Sequence, residues 1–225
     1  MSINASPLHN FTGMARLFPL PNLVFFPQVV QGLQIFEPRY RQLVADALAS
    51  DQLIALVLLQ PEVEAPPGQP PLIESVACLG QIVWYDSLPD GRFNLRLRGL
   101  HRIRILEEVP SNRLYRMARV EVIPEVAPTE LKQLKQLRQQ LAAALLPRYE
   151  TDGPAQRQLQ ELFESDTPLG QVCDVLSYAL PLAIEVKQAL LAESHVERRV
   201  AALIEALQIA SARASRRFPP DFSLN

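Results

Sequence analysis

The run LFPLPNLVFFP from Leu17 to Pro27 constrains this chain more than any other feature, because Pro19, Pro21 and Pro27 stand inside an otherwise apolar stretch. Each proline fixes its own φ, lacks an N–H and pushes the residue before it out of the helical region. The run is therefore extended or turn-like, and a central strand is excluded for it. Leu17, Phe18, Leu20, Leu23, Val24, Phe25 and Phe26 are too apolar to be left in water, so the segment is expected to lie as a belt across a core. IFEPRY follows from Ile35 to Tyr40. Pro38 there suits the first position of a helix, Glu37 stands near its cap, and Tyr40, Leu43, Val44, Ala47 and Leu48 form its buried stripe.

Further along, the apolar period is that of strands. Met14 to Leu17 reads as a short strand, and Leu53 to Leu59, LIALVLL, as a strand buried on both faces. PEVEAPPGQPP, with Pro61, Pro66, Pro67, Pro70 and Pro71, reads as a surface excursion that cannot enter a sheet. Leu79 to Tyr85 and Phe93 to Arg98 are strands joined through Pro89-Asp90-Gly91, where glycine supplies positive φ. His101 to Glu107 and Met117 to Ile123 complete the sheet. Phe93, Leu95 and Leu97 alternate with Asn94, Arg96 and Arg98, so one face is core and the other solvated. Gly99 between two such strands suggests a bulge or corner that bends the sheet toward a barrel.

After Pro128 the period lengthens to that of helices. Leu131, Leu134, Leu137, Leu141 and Leu145 form one ridge on a helix that stops near Pro147. Pro154 to Phe163 is a second helix. Thr167 and Pro168 open a third, carrying Leu169, Val172, Cys173, Leu176 and Leu180, which Pro181 ends or kinks. Leu182 to Leu191 follows, and Ser194 with Glu197 reads as a capping box ahead of Val196, Val200, Leu203, Ile204 and Leu207. The expected fold is α+β: a bent β-sheet subdomain over residues 14–126, then a helical-bundle subdomain over 127–212. Residues 1–13 are expected to be a flexible lead-in and 213–225 a tail.

The ordered set LFPLPNLVFFP, IFEPRY, Gly80, the Asp90-Gly91-Arg92-Phe93-Asn94-Leu95 hairpin, LRGLHRIRI from Leu97 to Ile105 and LPLAIEVKQALL from Leu180 to Leu191 resembles the amino-terminal substrate-recognition domain of Lon ATP-dependent proteases. The resemblance covers Met14 to Leu207. It implies that the bent sheet is a PUA-like pseudo-barrel and that the chain recognises protein segments. In that family an ATPase and a protease module follow, whereas a free-standing domain is expected here.

Residue content excludes several other chemistries. A P-loop needs glycine-rich amides followed by Gly-Lys, yet no glycine here precedes a lysine, and Lys132, Lys135 and Lys187 are the only lysines. All three fall in helical patterns, which argues against a Ser-Lys nucleophile pair. A formal net charge of −2 offers no general attraction to nucleic acid or anionic lipid. No apolar stretch is long enough to span a bilayer, and the start lacks a basic region and a continuous apolar core, so a cytoplasmic location is expected. Cys78 and Cys173 are expected to be buried reduced thiols. His9, His101 and His195 lack metal-ligand spacing, so no metal or cofactor is expected; His101 beside Asp86 or Glu107 is the one candidate base.

Binding is the expected role, and the resemblance implies that it is directed at unfolded or partner protein segments and linked to a separate protease. Phe25, Phe26, Phe36 and Tyr40 are the candidate contacts, with Glu37 and Arg39 beside them, because rigid aromatic groups supply contact area at low ordering cost. A second reading is RNA binding. Arg96 with Arg98, and Arg102 with Arg104, stand at two-residue spacing and could share the open face of adjacent strands, though acids such as Glu121 and Glu125 could equally neutralise them. An RNA role predicts a salt-sensitive affinity for mixed single-stranded and duplex RNA. Titration at two salt concentrations that shows no such affinity removes it.

Overall fold

A computed structural model describes residues 8, 11–60, 68 and 70–216, with side chains described as far as residue 209. Expectations resting on His9, on Pro61, Pro66 and Pro67, and on the chain from Arg217 onward lie outside the described residues. Six strands, β1 (Met14–Leu20), β2 (Val30–Ile35), β3 (Leu53–Leu58), β4 (Val76–Ser87), β5 (Phe93–Val109) and β6 (Arg116–Val122), accompany α1 (Pro38–Leu48) in the first part. Helices follow: α2 (Leu131–Leu145) with a 3₁₀ turn at Leu146–Arg148, α3 (Pro154–Glu164), α4 (Leu169–Ala179), α5 (Ile184–Ala192) and α6 (Val196–Arg216). The chain divides into two compact units, one running to Pro124 and including Asp174–Ser194, the other made of Glu125–Cys173 and the chain from His195.

The first unit is a bent sheet in the order β2-β5-β4-β3-β1-β6, and β5 pairs also with β6. β5 makes this possible because it is a single long strand, not the two that Gly99 suggested. Its first half pairs with β2 and its second half with β6, while β4 lies along the other side. The pairings β5, β4, β3, β1 and β6 therefore lead back to β5, and the sheet curls into a pseudo-barrel. Inside lie Leu17, Leu53, Ala55, Val57, Ala77, Leu79, Ile103 and Ala118, all nearly or wholly inaccessible.

β1 corrects the expectation drawn from its prolines. It is a central strand, parallel to β3 and antiparallel to β6, yet the two pairings overlap only at Leu17. Pro19 falls in the half that has β3 alone as a neighbour, so its missing N–H costs no ladder bond on the other side. The Pro19 carbonyl instead accepts from Tyr40 Oη at 3.1 Å. β3 is buried along its whole length as its composition required.

The belt after β1 is buried as expected, with Phe25 and Phe26 1% and 0% exposed. It crosses the sheet where side chains are missing. A Cβ on Gly99 would stand 2.1 Å from the Phe26 carbonyl oxygen, and one on Gly80 would stand 2.9 Å from Phe25 Cε1. Gly91 takes the positive φ, 78°, that its turn required.

Asp174–Ser194 joins the sheet through a buried ion pair. Arg102 Nη1 and Nη2 donate to the two Asp174 carboxylate oxygens at 3.0 and 2.5 Å, and Arg102 Nε donates to Leu191 O at 2.8 Å. Both side chains are almost fully inaccessible, 3% and 2%. Gln188 Nε2 adds a bond to Val76 O at 2.9 Å. These contacts place the last part of α4 and the whole of α5 on the sheet.

In the second unit, Leu141 and Leu145 of α2, Phe163 of α3, Val172 of α4, and Val200 and Leu203 of α6 form the interior. The α2 ridge is buried only in its later half, since Leu131 is 74% exposed. Arg199 is wholly buried and ion-paired with Glu125, and it donates to Gly170 O at 3.2 Å. Arg138 donates to the carbonyls of Phe163 and Ser165, each at 3.1 Å, and to that of Thr167, so one guanidinium satisfies acceptors at the end of α3. α6 begins at Val196, whose amide donates to Val126 O, while Glu197 accepts from Gln133 Nε2. It runs to Arg216, into the stretch expected as tail.

Removing one partner of a buried ion pair leaves an uncompensated charge, so Asp174→Ala is expected to destabilise the protein by about 3–5 kcal/mol. The double replacement Arg102→Met with Asp174→Leu is expected to recover most of that loss. Urea unfolding followed by circular dichroism measures both.

Candidate functional site

Of the aromatic contacts expected from sequence, only one is on the surface. Phe36, directly after β2, is 62% exposed, whereas Phe25, Phe26 and Tyr40 are buried. Phe25 and Phe26 are consumed by the belt's crossing of the sheet and offer nothing to a ligand. Tyr40 packs its ring 4.2 Å from that of Phe18, and burial raises its hydroxyl pKa. Glu37 and Arg39 remain outside, joined by a 2.8 Å ion pair, and the Arg39 guanidinium lies 4.5 Å from the Tyr40 ring centroid. The acidic and basic groups thus tie the start of α1 together beside Phe36.

The arginine series is split by a bulge. Gly80 faces Gly99 but Leu79 faces His101, so Leu100 is an extra residue in β5. An extra residue inverts the alternation beyond it. Arg96 and Arg98 therefore point to one side of the sheet, and Arg102 and Arg104 to the other. Arg102 is covered by Asp174, and Arg104 stands 3.5 Å from Glu121 across the β5–β6 pairing. Glu125, the other acid expected near this face, pairs with Arg199 instead. No four-arginine face exists.

His101 is likewise not assembled into a catalytic set. It faces Leu79, whereas Asp86 faces Asn94 in another part of β5 and Glu107 is held 3.0 Å from Arg119. Partial burial lowers the His101 pKa. His195 pairs with Val126 in an isolated parallel bridge. Among the described residues, no group of three or more His, Cys, Asp or Glu side chains could hold a metal ion.

A face that sequence reasoning missed lies at the far end of β4. Its register against β5 shifts between Ile82 and Trp84, which makes Val83 an extra residue. Val83, Trp84 and Tyr85 are 48%, 49% and 49% exposed. The register puts Trp84 opposite Arg96, whose guanidinium carbon lies 5.6 Å from the ring centroid. Across β5, Arg96 faces Gly32 and Arg98 faces Val30, itself 51% exposed. One solvent-facing surface thus carries Trp84, Arg96, Arg98 and Val30 over three strands. The VWY run was a visible signal, but strict alternation would have hidden part of it.

The same unit holds a cleft of about 480 Å³ lined by Asn22, Leu23, Val24, Tyr178, Leu182 and Lys187, among others. Lys187 Nζ donates to Tyr178 O at 2.6 Å, and partial burial lowers its pKa. Tyr178 Oη bonds Gln31 of β2, so the cleft adjoins that strand.

These elements put an exposed face and a cleft on a curled sheet, and comparison with known proteins identifies the family to which such a module belongs. Residues 14–208 match the family described as the ATP-dependent protease La (LON) substrate-binding domain, and the chain belongs to that family. It is 28% identical over 201 residues to Lon protease 1 of Herpetosiphon aurantiacus, covering 85% of this chain and 24% of that protein. Lon protease 2 of Myxococcus xanthus is 28% identical over 191 residues, covering 85% of this chain and 23% of that protein. The chain thus spans about a quarter of the length of these relatives. Among solved structures, the Lon N-terminal domain protein from Xanthomonas campestris superposes with a TM-score of 0.58 at 23% identity, covering 85% of this chain and 97% of that one. The N-terminal domain of Mycobacterium avium complex Lon protease gives 0.64 at 18% identity, covering 87% and 98%. Both share the fold.

Trp84 is the only tryptophan, so its emission reports on this face directly. Native emission is expected to be quenched readily by acrylamide, and a shielded tryptophan would contradict the placement. Cys78 and Cys173 are both buried, and desolvation pushes the Cys78 thiol far above its ordinary pKa. Neither is expected to react with a thiol reagent before the protein is unfolded.

Proposed function

We propose that this chain captures exposed apolar segments of client or partner proteins and, as part of the cytoplasmic machinery of proteolysis, presents them to a protease. Family membership supports the substrate-binding role. The single observation that carries the apolar preference is the half-exposed group Val83, Trp84 and Tyr85, held by a bulge at the end of a rigid strand. Large aromatic groups that are already ordered lose little entropy on contact, which suits them to bind segments of varied sequence. Phe36, after β2, is a further exposed aromatic group. The alternative RNA role loses its four-arginine basis, because Leu100 divides the series.

Fluorescence anisotropy with a labelled, reduced and carboxymethylated lactalbumin tests the proposal against the native, disulfide-bonded form. Binding of the unfolded form only is expected. Trp84→Ala is expected to weaken it by about ten-fold or more, the range of an interface anchor. Equal indifference to unfolded and native forms would end the proposal.

A further inference from the structure

β2 is the one strand of the sheet that pairs on a single side among the described residues. Its hydrogen-bond phase follows from its neighbour. Gly99 N donates to Val29 O at 2.9 Å, and Val29 is the residue that the β2–β5 register sets opposite Gly99. Alternation then turns the amides and carbonyls of Gln31, Leu33 and Ile35 toward β5. Those of Val30, Gly32 and Gln34 point outward. In agreement, the Gly32 carbonyl accepts from Gln31 Nε2 at 2.6 Å and not from a strand. No other backbone partner of these outward groups is found among the described residues.

Protein edges are ordinarily protected by charge, proline or a bulge. β2, VQGLQI, has none of these. Gly32 sits at its middle, and a Cβ built there meets nothing within 4 Å, so the approach is open. A row of amides and carbonyls without backbone partners is complementary to an extended polypeptide and to little else. The flanking chemistry narrows the choice further. Arg96 is the cross-strand partner of Gly32, Arg98 that of Val30, and neither guanidinium has a carboxylate partner among the described residues. Over Gly32 no side chain separates Arg96 from the edge, so its guanidinium, which lies over Trp84 on the β4 side, reaches the edge by turning across Gly32.

We propose that an extended client segment adds to the sheet as a seventh strand on β2, with an acidic side chain opposite Gly32 reaching Arg96. This deepens the substrate-binding reading and rests on it. A docked residue opposite Gly32 would exchange both backbone bonds with it, displacing Gln31 Nε2 from the Gly32 carbonyl, and share its face, so the acid and the amides directed at β2 fall on the same alternate positions of the client. The intervening side chains point to the opposite face of β2, the side on which Gln31 meets Tyr178. Backbone bonds supply affinity for many sequences, and the alternate side chains supply preference.

The test uses the full chain and a fluorescein-labelled ten-residue peptide of alternating Val and Thr in which one central Thr is replaced by Glu. N-methylation of the Glu and of its neighbours two residues away is expected to weaken binding by about ten-fold or more, since several backbone bonds are lost. N-methylation of the intervening residues is expected to leave binding within about two-fold, because those amides face solvent. Gly32→Pro, which removes only an outward N–H, should reproduce the first loss while circular dichroism stays unchanged. Arg96→Gln should abolish the preference for Glu over Gln in the peptide. If the two methylation patterns weaken binding equally, strand addition is wrong although the substrate-binding reading stands. Failure to bind both the peptide and unfolded lactalbumin removes the reading itself. A dimer in sedimentation that Gly32→Pro dissociates would assign the edge to a second copy and overturn the proposal.

Discussion

The bidentate contact between Arg102 and Asp174 is the constraint on which the first unit depends. A guanidinium buried in the middle of a β-strand is tolerable only if its charge is compensated and each of its nitrogens finds an acceptor. Two donors are met by Asp174 and Nε by the Leu191 carbonyl, so the sheet can be completed only with the residues 174–194 in place. The sheet is thus sealed by chain that arrives long after its last strand. Residue order and spatial unit part company at this point.

Two bulges then decide what the sheet presents to water. Leu100 separates Arg96 and Arg98 from Arg102 and Arg104, which allows one arginine to be buried while others remain solvated. Val83 brings Trp84 opposite Arg96 and leaves three consecutive apolar residues half exposed. The Trp84–Arg96 contact sets a guanidinium over a large ring, a cation–π contact that needs no burial. Because β4 and β5 are continuous across these irregularities, the exposed residues stand on a stiff frame and not on a loop. That rigidity is what a surface needs if it is to bind many sequences without first being ordered.

The helical unit has its own internal logic. Arg199 is fully buried against Glu125, and the closeness of that carboxylate leaves no room for a side chain at Gly170, where a Cβ would come within 2.3 Å of a Glu125 oxygen. Arg138 closes the end of α3 by taking three carbonyls. Both arginines act as internal connectors whose charge is spent on structure, which is why the chain's basic residues are a poor guide to ligand chemistry.

Local periodicity and turn chemistry made much of the fold legible. The α1 stripe, the fully buried β3, the Gly91 turn, the helices beginning at Leu131, Pro154 and Leu169, and the family resemblance all follow from residue types and spacings within a few turns or strand lengths. β2 was not visible, because VQGLQI has little alternation and its pairing is made with residues distant in sequence. Nor could spacing show that Phe25 and Phe26 would be buried by crossing Gly99 and Gly80, or that Pro19 would sit in a central strand beyond the reach of β6. The sequence by itself determined the elements and the kind of molecule, since propensities and apolar period act locally. Only tertiary structure decided which residues face water, because one extra residue in a pairing reverses every side chain beyond it, and such a residue is defined only against the strand it faces.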